Sequence, residues 1–150
     1  MYKASDVAKW FLHKTPMTHK KLQKLCYYAQ AWNCALYGEP LFDDEIQAWV
    51  HGPVVVSLYP QYADYGWKDI PQADCDNSGI DDENALGLLN TVYRTYSEFS
   101  GDQLERLTHS EQPWKDARGD VKPWENSHAV ITCEAMRRYY KEKYVQSQGE

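Results

Sequence analysis

The chain has 150 residues, a net charge of −6 and an apolar share of 43 %, with 12 Tyr and 6 Trp. That length suits one domain able to bury its own core, and the whole of 1–150 is read as one, with a frayed polar tail from about 145. No stretch is apolar for long enough to span a bilayer, and the N-terminus lacks the apolar region of a signal peptide, so a cytoplasmic protein with no membrane partner is expected.

Charge is distributed unevenly. Residues 1–38 carry six Lys against one Asp, whereas residues 39–120 carry 17 acids against five bases. Residues 121–150 are nearly balanced. An acidic middle repels nucleic acid and suits a basic partner, such as a protein that itself acts on nucleic acid. The plainer reading is an ordinary solvated surface. The abundant Tyr and Trp rings suit both cores and protein-binding faces. Cys26, Cys34, Cys75 and Cys133 show no CxxC spacing, and Cys26 and Cys34 lie too far apart along one helix to bridge. They read as reduced thiols, three of them in or near the core.

In chain order, Ser5 can cap a first helix with Val7, Trp10 and Phe11 on one face, ended before Pro16. From Thr18, an N-cap, a long amphipathic helix carries Leu22, Leu25, Cys26, Ala29, Trp32 and Leu36 to a C-terminal Gly38, with Pro40 beyond. His19, Lys20, Lys21 and Lys24 crowd its first turns, against the macrodipole. Such a run is explained by a bound anion, by an acidic neighbour or by plain solvation.

Ile46–Val50 alternates as a strand. His51-Gly52-Pro53 then breaks it, with Pro53 placed to start a helix over Val54–Tyr65 that Pro60 kinks near Ser57–Tyr59. Trp67–Ile70 is expected to pair with Ile46–Val50, and 71–81 to be an exposed loop. Asp81 or Asp82 opens the next helix, with Leu86, Leu89, Val92, Tyr93 and Tyr96 as its stripe. Ser100 and Gln103 form a capping box for a short helix. Pro113 starts another through Arg118, which Gly119 ends. Ser127 is expected to cap the last helix, on which Ala129, Cys133, Met136 and Tyr140 share a face. The fold class is therefore mainly α: a compact single domain of about six helices with a small two-stranded β-hairpin.

Motifs for phosphate, dinucleotide, zinc-protease or nucleophile-elbow chemistry do not occur, and the five His do not fall at metal-ligand spacings. No catalytic, cofactor or metal residue is assigned. Thr108, His109, Glu111 and Arg118, with His51, are residue types that can supply an acid, a base and an anion clamp. The same residues can serve as caps, packing and C-terminal bonds at a helical corner, which is the stronger reading.

Three blocks, KLQKLCYYAQAWNCALYGEPLF, IQAWVHGPVVVSLY and LTHSEQPWKDAR, with YGW between the last two, resemble the SocA-like antitoxin family, whose domain is called Panacea. The resemblance runs from Tyr2 to about Tyr140. It implies a mostly helical domain that neutralises a cognate protein toxin by direct binding, encoded beside varied toxin genes and often in prophages. His51 stands where relatives usually carry Tyr or another large polar residue, and Pro60 interrupts a helix that usually runs on. Trp49, His51, Gly52, Pro53, Thr108, His109, Glu111, Pro113, Trp114 and Arg118 are the candidates for a shared groove or partner-binding surface. The alternatives are a phage counter-defence protein that binds a host toxin or defence factor, or a small hydrolase-type enzyme using His51, His109 and Glu111. DNA binding through Lys14–Lys24 is the weakest of them. Oligomeric state is not addressed by the sequence.

Overall fold

The computed structural model describes residues 1–149. Seven α-helices and one two-stranded sheet are present among them: α1 (Ala4–Lys14), α2 (His19–Tyr37), β1 (Ile46–Trp49), β2 (Gly52–Val55), α3 (Tyr59–Tyr62), α4 (Glu83–Tyr96), α5 (Gly101–His109), α6 (Gln112–Arg118) and α7 (Cys133–Gln148). Short 3₁₀ turns flank α3.

Helix α2 is the axis of the molecule. The Thr18 hydroxyl accepts from the Lys21 amide at 3.2 Å, and Gly38 takes the left-handed backbone (φ 72°) that ends the helix. The expected stripe is too narrow. Gln23, Lys24, Tyr27, Tyr28, Gln30 and Asn33 are buried along with Leu22, Leu25, Cys26 and Ala29, while Leu36 is exposed. The reason is packing: α1, α4, α5, α7 and β2 all lie against α2, leaving it almost no outer face.

Its buried amides are satisfied by loop and strand backbone. Gln23 donates to the Val55 carbonyl (3.1 Å) and accepts from the Val55 amide (2.7 Å). Gln30 donates to the Phe42 carbonyl (2.7 Å) and accepts from the amides of Leu41 (2.8 Å) and Phe42 (3.2 Å). Asn33 donates to the Glu39 carbonyl at 2.8 Å. A buried amide without such partners costs about 1–3 kcal/mol, so these bonds fix the connection from α2 to the hairpin in one path.

Several local expectations are corrected. Pro53 lies in β2 rather than at a helix start, and β1 pairs with β2, Ile46 opposite Val55 and Trp49 opposite Gly52. Pro53 is tolerated because its partner Ala48 directs both polar groups elsewhere: the amide to Ala129 O (2.8 Å), the carbonyl to Arg118 (3.0 Å). Trp67–Ile70 does not join the hairpin; Ile70 exchanges backbone bonds with Met17 instead. Residues 129–131 run extended along the outer edge of β1, where the Ile131 amide donates to Ile46 O (2.9 Å). The last helix is therefore capped by Thr132, not Ser127. Lys3 rather than Ser5 precedes α1, with the Asp6 carboxylate accepting from the Lys3 amide (3.0 Å). Pro60 falls in the first turn of α3, after a break at Val56–Leu58. The caps at Asp82 and Ser100 and the start of α6 at Pro113 fall as expected.

Cys34 and Cys133 form a disulfide with a Cα–Cα separation of 5.8 Å, joining the end of α2 to the start of α7. The expectation of reduced thiols fails here because the pair is 99 residues apart. Spacing within one helix carries no information about such a contact. Cross-linking a loop of this length constrains the unfolded chain, typically by about 2–4 kcal/mol. Cys34→Ser, or reduction of the wild type, should lower the unfolding free energy by about that amount in chemical denaturation with and without dithiothreitol. Equal stability in both conditions would show that the two sulfurs are not bonded in solution.

Candidate functional site

The three sequence blocks meet where the hairpin crosses α5, α6 and the first turns of α2. The hairpin tip is tight because Gly52 has φ 108°, a conformation that side chains resist. A methyl added there would lie 2.7 Å from Lys24 Cε and 3.1 Å from Thr108 Oγ1. Glycine thus lets the tip press onto α2 and α5. Thr108 is buried, and its hydroxyl donates to the Glu105 carbonyl (2.8 Å). Lys24, only 2 % exposed, passes beneath the tip and donates to the Pro53 carbonyl at 3.3 Å.

Charges around the tip are internally paired. Lys20 Nζ lies 2.9 Å from Asp102 and 2.8 Å from Glu105. Burial pulls the Lys20 pKa down, but its bonds to Glu105 and Asp102 outweigh that and raise it. His51 is exposed, with Nδ1 3.3 Å from the same Glu105 oxygen. Lys21 donates to the Ser97 carbonyl. Of the three explanations for the lysine run, the acidic neighbour therefore accounts for Lys20, and backbone carbonyls for Lys21 and Lys24. Burial is the main force on Lys24 and takes its pKa from 10.5 down to about 7, against the pull of Glu105. Burial likewise lowers His19 and His109.

A second cluster lies behind the hairpin. The indole of Trp114 donates to the Trp49 carbonyl at 2.8 Å. His109 stacks on that indole (centroids 3.9 Å apart, planes 18° apart), and the Arg118 guanidinium lies 4.6 Å from its centre. Arg118 is buried and donates to the carbonyls of Ala48 (3.0 Å), Lys122 (2.9 Å) and Glu125. It thus holds the chain beyond α6 against β1. Pro113 is buried in the first turn of α6. Trp49 itself is half-buried, its ring 5.0 Å from Tyr59 and 6.0 Å from His128.

Glu111 belongs to neither cluster. Its carboxylate faces α2 and α7, accepting from the hydroxyls of Tyr28 (2.7 Å) and Tyr140 (2.9 Å), with Lys143 3.6 Å away. Tyr27 and Tyr140 share a further bond (3.0 Å). Burial raises the Glu111 carboxyl, partly offset by the two phenols. Of the proposed acid–base set, His51 is thus brought to Glu105, His109 to Trp114, and Glu111 to a tyrosine network. Glu111 thus makes its bonds away from the two histidines of that set.

Sequence reasoning passed over Gln23, Tyr28 and Glu105, and it named Lys24 and Tyr140 without their buried partners. A signal was present for the burial of Lys24 and Tyr28: with Ala31 they recur at helical spacing as a second stripe beside the apolar one.

A family model described as antitoxin SocA-like, Panacea domain, matches residues 22–115, from α2 into α6. The chain belongs to that family. No curated protein and no solved structure matches it. The Panacea match thus takes in α2 from Leu22 onward, the hairpin and α5, the elements whose side chains interlock at this corner.

The buried lysine has a measurable consequence. Between about pH 7 and 10 the unfolded chain carries a proton on Lys24 that the folded Panacea domain lacks, so this residue makes stability rise with pH by ~1.4 kcal/mol per unit. Below about pH 7 both states are protonated, and the stability lost to charging the buried amine is constant. Denaturation of wild type and Lys24→Met between pH 7.5 and 9.5 should show a slope for the wild type that the variant lacks. Parallel curves would place a charged amine in the core.

Proposed function

We propose that this protein is an antitoxin that neutralises a cognate protein toxin by binding it directly in the cytoplasm. The observation that carries the proposal is the family match over residues 22–115. The placement of the signature residues supports it. Lys24, Thr108, Glu111, Trp114 and Arg118 are buried and bonded to other parts of the same chain. Such residues build a scaffold, and a scaffold whose outward positions are free to vary suits a domain that meets different partners. No helix is long and apolar enough to cross a membrane. The binding mode is occlusion by a folded surface, with no cofactor or metal in the mechanism.

The test is co-expression with the product of the neighbouring reading frame. That product alone should arrest growth, co-expression should restore it, and the two proteins should co-purify. His109→Ala should neutralise as well as the wild type, because its ring stacks inside the corner. Loss of neutralisation in a His109→Ala protein of unchanged thermal midpoint would favour the enzymatic alternative. Failure of the neighbouring product to co-purify would overturn the proposal.

A further inference from the structure

The four cysteines differ sharply in access. Cys26 is fully buried, and burial pushes its thiol well above the usual range. Cys75 is exposed, with no cysteine bonded to it. Cys34 is fully buried in α2, whereas Cys133, its partner in the disulfide, is partly exposed. Cys133 lines a cleft of about 750 Å³, open to solvent and walled also by Gly38, Pro40 and α7. The cross-link therefore has one shielded half and one half that a solute can approach.

Cys133 is the first residue of α7, where the unpaired amides of the opening turn favour a thiolate over a thiol. The charged side chains of the cleft are Arg137, Arg138 and Lys141 against Glu134 and Glu142, and Glu134 is already paired with Arg138 (3.2 Å). One positive charge is left in excess, and it acts in the same direction. The two cysteines are also kept adjacent by contacts that involve neither sulfur. Just before Cys133, Ile131 donates to Ile46 O (2.9 Å) and Ala129 O accepts from Ala48 (2.8 Å). Just after it, Met136 is buried and the Tyr140 hydroxyl bonds to Tyr27 (3.0 Å) and Glu111 (2.9 Å). With Cα atoms 5.8 Å apart, the opened pair stays within reach of closing again at high effective concentration. An accessible thiolate beside a resolving cysteine is the arrangement of a redox sensor. A compartment kept reducing by soluble thiols holds such a pair open until an oxidant arrives.

We propose that Cys34 and Cys133 form a reversible peroxide-responsive switch, in which Cys133 is the sulfur oxidised and Cys34 the sulfur that resolves it. The Cys133 thiolate attacks one oxygen of hydrogen peroxide; the O–O bond breaks, hydroxide leaves, and Cys133 becomes a sulfenic acid. The Cys34 thiol then attacks the Cys133 sulfur. Its proton departs with the sulfenic oxygen as water, and the S–S bond forms. Two molecules of a small thiol reverse the change. The first attacks Cys133 and expels Cys34, which takes up a proton; the second removes the first as a small-molecule disulfide and releases the Cys133 thiolate. Closing the bond pins the start of α7 and the edge segment 129–131 to α2, and opening it leaves them held by hydrogen bonds and packing alone. The inference rests on the cytoplasmic placement in the reading above, and not on toxin binding.

The test uses the full chain, first in the cells that express it. Acid quenching followed by alkylation should find Cys34 and Cys133 as thiols in unstressed cells and as a disulfide after a pulse of hydrogen peroxide. A disulfide already complete in unstressed cells, or none after the pulse, would overturn the switch. In the purified, reduced and folded wild type, iodoacetamide should modify Cys133 at least about tenfold faster than Cys34. Treated with peroxide and dimedone, Cys34→Ser should carry the sulfenic-acid adduct on Cys133, whereas Cys133→Ser should carry none on Cys34. Equal alkylation of the two wild-type cysteines, or an adduct on Cys34 and none on Cys133, would contradict the assignment of roles. None of these measurements involves a toxin. A pair that opens and closes in a protein that neutralises nothing would sink the antitoxin reading alone, and neutralisation by a chain whose pair never closes would sink the switch alone.

Discussion

The structure depends on one constraint: α2 lies inside the molecule with neighbours on nearly every side, so its polar side chains have no water to turn to. Each must be answered by protein. Gln23 answers β2, Gln30 answers the backbone at Leu41 and Phe42, and Lys24 answers Pro53. Seven residues separate the two glutamines, two helical turns, so both project from nearly the same side of the helix and hold successive parts of one connection. A leucine at either position would strand backbone groups that otherwise pair in the interior. The hairpin is thus held by hydrogen bonds from a helix as much as by its own short ladder.

The corner behind the hairpin follows the same logic. Arg118 reaches three carbonyls from one buried guanidinium, a task that lysine, with a single point charge and no planar fork, performs poorly. Glu111 ties α6 to α2 and α7 through two tyrosine hydroxyls, and the disulfide ties the other end of α7 to α2. Buried polar groups of this kind fix one arrangement more than they add net stability. They account for why residues that resemble catalytic types recur in the signature blocks. Their chemistry is spent on geometry.

Much of this was legible from the sequence wherever a local rule acts alone. Thr18, Asp82 and Ser100 cap helices because a side-chain oxygen there has a free amide within three residues. Gly38 and Gly119 end helices by taking positive φ. Legibility failed where a distant partner overrides the local rule. Pro53 resembles a helix start until Ala48 turns its own bonds away from it. Ser127 resembles a cap until 129–131 add to the edge of β1. Cys34 and Cys133 carry no spacing signal, and Lys24 looks like a surface lysine until α5 and the hairpin close over it. At the candidate site the residues were found but their partners were not, because Glu111 meets Tyr28 and Tyr140 only through the packing of α7 on α2.

The central claim is that the signature blocks form one internal scaffold. Native-state hydrogen exchange across the chain tests this most directly. The account predicts that amides of residues 22–35, 46–55 and 104–118 exchange only through global unfolding, sharing one protection free energy, while residues 63–69 and 119–126 exchange far faster. If residues 104–118 instead opened as readily as those loops, the corner would be a mobile element rather than a scaffold, and the account would be wrong.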